Sequence, residues 1–83
     1  MAFVVTAPPQ LGRTLNGLRK SRQMTQVDVA RASGLRQKTV SLLETAPHRC
    51  SVDSLMRYLA AVRAAMSLDP MAQAPSARPT DTW

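Results

Sequence analysis

The sequence predicts an all-α domain of four to five short helices with one short strand at its C-terminal end. Three observations carry this. Leucine and valine recur at three- and four-residue spacings, the mark of a helix with one buried face. Cap and stop residues punctuate the repeats: Thr25, Ser33-Gly34, Pro47 and Ser51. After Val62 the pattern changes to alternation, the period of a strand.

Residues 1–8 read as an extended N-terminal arm. Pro8 and Pro9 suit the first turn of a helix, where a missing N–H is harmless, and Thr6 is a possible cap ahead of them. The first helix is expected from about Pro9 to Ser21, with Leu11, Leu15 and Leu18 as its apolar stripe. Gly12 and Gly17 weaken it without ending it.

The second helix opens at Thr25, which with Asp28 forms a variant capping box. Val29 and Ala30 face inward, and Val27 in part. Gly34 supplies a left-handed stop, and Leu35 is the expected buried hinge residue. The third helix runs from about Arg36 to Thr45 and ends before Pro47. Val40 and Leu43 point in; Arg36, Gln37, Lys38, Ser41 and Leu42 lie on or near the outer faces. The fourth begins after Ser51, a good cap with Asp53 in the first turn. Leu55, Leu59 and Val62 form its stripe, widened by Met56 and Ala60.

Ala64, Met66 and Leu68 then alternate with Ala65, Ser67 and Asp69, and Pro70 ends the run. A lone strand leaves its backbone groups unpaired, so its simplest partner is the same strand of a second copy across a two-fold axis. The alternative is an extension of the fourth helix, since alanine favours helix. Residues 9–69 therefore read as one domain. Residues 70–83, rich in Pro, Ala and Thr and without apolar periodicity, read as a flexible tail. It ends in Trp83, either an anchor for a partner's pocket or an inert terminus.

Eighty-three residues, 45% of them apolar, allow one small core. With only Phe3, Tyr58 and Trp83 aromatic, that core is expected to be aliphatic. Eleven Lys and Arg against five Asp and Glu give a net charge of +6, and the pI is near 11.2. This balance suits a nucleic-acid surface, and arginine, the dominant base, suits forked contacts to phosphate or guanine. Cys50 and His48 are each the sole residue of their type. Neither a disulfide nor a cysteine-rich metal site is available, and neither residue has an obvious orienting Asp or Asn. No enzyme, cofactor or metal is expected. No apolar run reaches the roughly 20 residues of a membrane span, and the start MAFVVTAPPQ lacks the features of a secretory signal. A cytoplasmic location is expected.

Two short helices joined through Ser-Gly-Leu make a helix-turn-helix, whose second helix enters the DNA major groove. Gln26, at the positive start of the second helix, can clamp a phosphate together with free backbone N–H groups. Gln37, at the tip of the third, has a donor and an acceptor that match adenine N6 and N7. Lys38 can donate to guanine or phosphate. Thr39 and Ser41 are short hydroxyls suited to phosphate or base edges, Arg36 meets the backbone or a base, and Leu42 can touch a thymine methyl. His48 or Arg49 can reach a phosphate from the loop APHRCS.

At these residues the run LRKSRQMTQVDVARASGLRQKTVSLLE resembles the Cro/C1-type (Xre-like) helix-turn-helix family, which has a lambda-repressor-like fold. The likeness covers about residues 11–62; Val29 stands where the family has Leu. It implies that Gln26 contacts phosphate, that Arg36 to Ser41 read the groove, and that Arg19 and Glu44 form an ion pair. A narrower likeness rests on PPQLG, RQKTVSLLETAPHRCSVDSLMRYLAAV, the strand AAMSLD and the tail, which are similar to HipB-type antitoxins. It implies a homodimer on a palindromic double-stranded DNA operator, repression of its own operon, and binding of a HipA-like serine/threonine kinase toxin. Two other readings remain open: a stand-alone Xre-type or phage-type repressor without a toxin, and a protein-interaction module that binds no DNA.

Overall fold

The computed structural model describes residues 3–70. They form four α-helices and one 3-10 turn: α1 (Pro8–Ser21), α2 (Gln26–Ser33), α3 (Gln37–Thr45), the 3-10 turn Pro47–Arg49 and α4 (Val52–Ala61). The all-α reading holds. The tail and its Trp83 lie outside the described residues.

Helix α1 begins one residue earlier than expected, with both prolines in its first turn and Ala7 as N-cap. Thr6 is not the cap. Instead the Gln10 side-chain oxygen turns back to accept from the Thr6 N–H at 2.7 Å and from the Thr6 hydroxyl at 2.9 Å. The Ala7 carbonyl takes the N–H groups of Gln10 and Leu11. Gln23 ends the α1 turn in the left-handed region at φ 58°, without a glycine.

Helix α2 carries the full capping box: Thr25 Oγ1 accepts from the Asp28 N–H at 3.1 Å, and Asp28 Oδ2 accepts from the Thr25 N–H at 2.8 Å. Gly34 closes it at φ +78°, where a Cβ would be strained. The α4 cap is Ser51, whose hydroxyl accepts from the Ser54 N–H at 3.0 Å. At the other end of α4, Arg22 donates to the carbonyls of Val62 and Arg63, tying the α1–α2 turn to the end of the bundle.

The core is Leu15, Val29, Val40, Leu43, Leu55, Tyr58, Leu59 and Val62, one or more from each helix. Leu11, Leu18, Met24 and Leu35 pack against it while half-buried. Three expectations are corrected. Tyr58 is fully buried at 0% exposure, so the core is not purely aliphatic. Met56 and Ala60 are exposed, because Leu55, Tyr58, Leu59 and Val62 share one side of α4 and both residues lie more than about 100° of helical rotation from its centre. Leu35 is half-buried rather than buried.

Among the described residues there is no strand; residues 64–70 have no regular structure. A strand is defined by its ladder of backbone bonds, and a single chain offers Ala64, Met66 and Leu68 no second strand to pair with. Met66 and Leu68 are exposed.

Candidate nucleic-acid interface

Helix α3 presents a bare end. Its N-cap, Arg36, makes no side-chain capping bond, and its first turn holds no acidic residue. The first N–H groups of a helix have no partner within it, so those of Gln37 and Lys38 face outward with the positive end of the helix dipole. Arg36, Gln37 and Lys38 are exposed, and Thr39, Ser41 and Leu42 are half-buried on the flanks. The inward face, Val40 and Leu43, is fully buried and anchors the helix. His48 and Arg49 are exposed on the 3-10 turn beyond it.

Helix α2 leads into α3 through the left-handed Gly34, and its first residue lies against Glu44 near the end of α3. Gln26 is its first residue and is half-buried. It is not simply free: its Nε2 donates to Glu44 Oε1 at 3.3 Å.

Glu44 is the meeting point of all four helices. From α1, Arg19 Nε donates to Oε2 at 2.7 Å and Arg19 Nη2 to Oε1 at 3.1 Å. Asn16 Nδ2 donates to Oε1 at 2.8 Å. From α2 comes Gln26, and from α4 the Tyr58 hydroxyl, which donates to Oε2. The same hydroxyl lies 3.1 Å from the Leu15 carbonyl. The Glu44 and Arg19 side chains are 3% and 12% exposed.

Burial by itself pushes the Glu44 carboxyl up. Hydrogen bonds from Arg19, Tyr58, Asn16 and Gln26 more than reverse this and hold it at about 2. Its bond to Glu44 keeps Arg19 charged, against the desolvation that opposes it. The Tyr58 phenol is pushed well up, first by burial and then by its bond to Glu44. The carboxylate is therefore ionised and its charge is compensated from within. A lone anion beside α2 and α3 would repel phosphate; this one is neutralised by Arg19.

The structure thus brings Arg19, Glu44 and Gln26 together and sets Arg36, Gln37 and Lys38 on one exposed end. Asn16 and Tyr58 were absent from the candidate residues. Both had a signal. Asn16 is one helical turn before Arg19, and Tyr58 sits in the apolar stripe of α4, where its hydroxyl needs a buried partner.

Among the described residues, no group of three or more His, Cys, Asp or Glu is placed to hold a metal, and no helix is long and apolar enough to cross a membrane.

No family model matches the chain. Antitoxin HigA1 of Mycobacterium tuberculosis (strain ATCC 25618 / H37Rv) is 39% identical over 69 residues, covering 83% of this chain and 45% of HigA1. The chain therefore spans less than half the length of the curated relatives it matches. Among solved structures, a HipB–O4 20mer complex aligns with TM-score 0.80 at 24% identity, covering 87% of this chain and 100% of the other. A chain of a HipA–HipB–O2–O3 complex aligns with TM-score 0.78 at 23% identity over 83% of this chain and 97% of that one. The fold is the helix-turn-helix fold of these HipB structures.

Proposed function

We propose that this chain is the DNA-binding antitoxin of a toxin–antitoxin pair, and that it acts as a homodimeric repressor of its own operon. The observation that carries the reading is the uncapped start of α3, with exposed Arg36, Gln37 and Lys38 and no acid in its first turn, on a chain of net charge +6. In this reading Gln26 and the start of α2 hold a phosphate. Gln37 reads a base edge, with Lys38, Thr39 and Ser41 beside it and Arg36 on the backbone. The unit that binds DNA and dimerises is residues 9–69. The strand Ala64, Met66 and Leu68 pairs with its copy, and the DNA site is a palindrome whose half-sites lie about one helical turn apart, or a multiple of it. The role is one of binding, with no catalysis.

For the toxin, the narrower proposal is a HipA-like serine/threonine kinase, with Trp83 in the tail as a contact. It is supported by the likeness to HipB structures and to a chain of a complex that also contains HipA. A second reading, a HigA-type antitoxin paired with a different toxin, is favoured by the higher identity, 39%, to HigA1.

Titrating duplex DNA from upstream of the chain's own reading frame at rising salt tests the DNA reading. Affinity is expected to fall linearly on a log–log plot, because each neutralised phosphate releases counterions. Failure to retain that duplex even at low salt overturns it. Co-purification of the native partner separates the two toxin readings: a kinase supports the first, any other toxin the second.

A further inference from the structure

We infer that Tyr58 and Glu44 are positioning residues for the Gln26 amide, fixing which of its atoms faces the DNA, an inference that rests on the reading of Gln26 as a phosphate contact. A side-chain amide can flip, exchanging a donor for an acceptor. Glu44 removes that choice. A carboxylate only accepts, so the amide must turn its NH2 toward Oε1, where Nε2 lies at 3.3 Å. The flipped amide would set its oxygen against the carboxylate. One N–H of the NH2 is thus used by Glu44 and one remains. A phosphate oxygen also only accepts, so the remaining N–H is the group that meets it. The NH2 then bridges two anionic oxygens, which is tolerable because Arg19 compensates one of them at 2.7 and 3.1 Å.

Tyr58 enters through Glu44. Its hydroxyl donates to Oε2, as does Arg19 Nε, while Gln26, Asn16 and Arg19 Nη2 use Oε1. With Oε2 occupied by the phenol and the guanidinium, the carboxylate plane is held and Oε1 is turned to α2. A hydroxyl in α4, remote from the exposed end of α3, thereby sets the orientation of an amide at the start of α2. Removing it leaves the carboxylate to Arg19 and Asn16 alone, so it can shift within the hold of the guanidinium and the contact with the Gln26 amide loosens.

The test is a double-mutant cycle on the full chain, read as affinity for a duplex enriched by this chain from a random-sequence pool and for an unrelated duplex. All variants are compared well below their unfolding midpoints. Gln26→Ala is expected to weaken binding to both duplexes alike, by roughly tenfold. Tyr58→Phe, which keeps the packed ring, is expected to weaken both by roughly three- to tenfold. Tyr58→Phe added to Gln26→Ala is expected to have no further effect. A merely structural Tyr58 would weaken binding equally in both backgrounds, and that result overturns the inference while leaving the phosphate contact standing. Loss of any effect from Gln26→Ala overturns the phosphate contact and the inference with it. Independently of any variant, the Gln26 side-chain amide should give two well-separated NMR proton signals shifted from free-amide values. Free-amide signals in the DNA-free chain overturn the inference on their own.

Discussion

Gly12 of α1 touches the backbone of Glu44 of α3 so closely that a Cβ on Gly12 would lie 2.6 Å from the Glu44 carbonyl oxygen. The obstacle is main chain, so it cannot rotate away, and the two helices would have to separate. Gly12→Ala is therefore expected to destabilise the fold by about 1–3 kcal/mol, despite alanine's better helix propensity. Gly17, in the same helix, has nothing within 4 Å of its Cβ position. Gly17→Ala should stabilise by about 0.5–1 kcal/mol. Urea unfolding of both variants checks the pair; shifts of the same sign would show that α1 and α3 are not held at this approach.

The same residue makes stability depend on acid. The folded Glu44 carboxyl sits at about 2, below its ordinary value of 4.5, and its side chain is 3% exposed. A depressed carboxyl contributes stability that is fully present above the unfolded value. It is lost as pH falls from about 4.5 through about 2, a loss of roughly 3 kcal/mol at about 1.4 kcal/mol per pH unit. Asp28 adds to the trend in the same direction, because the Thr25 N–H and hydroxyl hold its carboxyl below the usual range. Unfolding free energies measured by urea between about pH 6 and pH 2 should show this decline. A flat profile across that window would mean that Glu44 is not held as an ionised hub.

The two glutamines should fail differently. Gln37 is exposed at the tip of α3, and Gln26 is half-buried at the start of α2 on Glu44. Gln37→Ala should reduce discrimination between the preferred duplex and an unrelated one by about 1–3 kcal/mol. Gln26→Ala should leave that ratio unchanged. Binding isotherms on the two duplexes decide the point, and equal effects on the ratio would refute the division of labour.

How far these residues were legible in the sequence follows from the range over which each is determined. The Thr25–Asp28 capping box, the Gly34 stop and the Ser51 cap were readable because each is set within four residues. The stripes of α1 and α3 were readable because periodicity survives the loss of all tertiary information. The errors lie where a third residue decides. Threonine's capping ability makes Thr6 a possible cap, yet Gln10 captures its N–H and hydroxyl and Ala7 is the N-cap. The place of Tyr58 in the α4 stripe signals a buried hydroxyl, but nothing local shows that its partners are Glu44 and Leu15, fourteen and forty-three residues away. At the exposed end of α3, residue types and helix position were enough to nominate Arg36, Gln37 and Lys38. The partner that orients Gln26 was not readable, because it lies on a different helix.

Residues 64–70 carry the last prediction. Met66 is 44% exposed and Leu68 87%, so both side chains are open to a second copy. Alternation puts Ala64, Met66 and Leu68 on one side of an extended segment, so pairing with a second copy would satisfy its backbone and cover that side together. Replacing both Met66 and Leu68 by Glu should shift light-scattering mass from dimer to monomer, because like charges then face each other across the two-fold axis. The variant should keep its helical circular dichroism, since neither side chain belongs to the core. Its affinity for a two-half-site duplex should fall by at least tenfold, while its affinity for a single half-site should hardly change. A wild-type chain that is monomeric at micromolar concentration, or a Met66→Glu/Leu68→Glu variant that stays dimeric, would remove the strand as the dimer contact. Either outcome would leave the exposed end of α3 intact as a DNA-facing surface, because its geometry is set by Val40 and Leu43 within one chain.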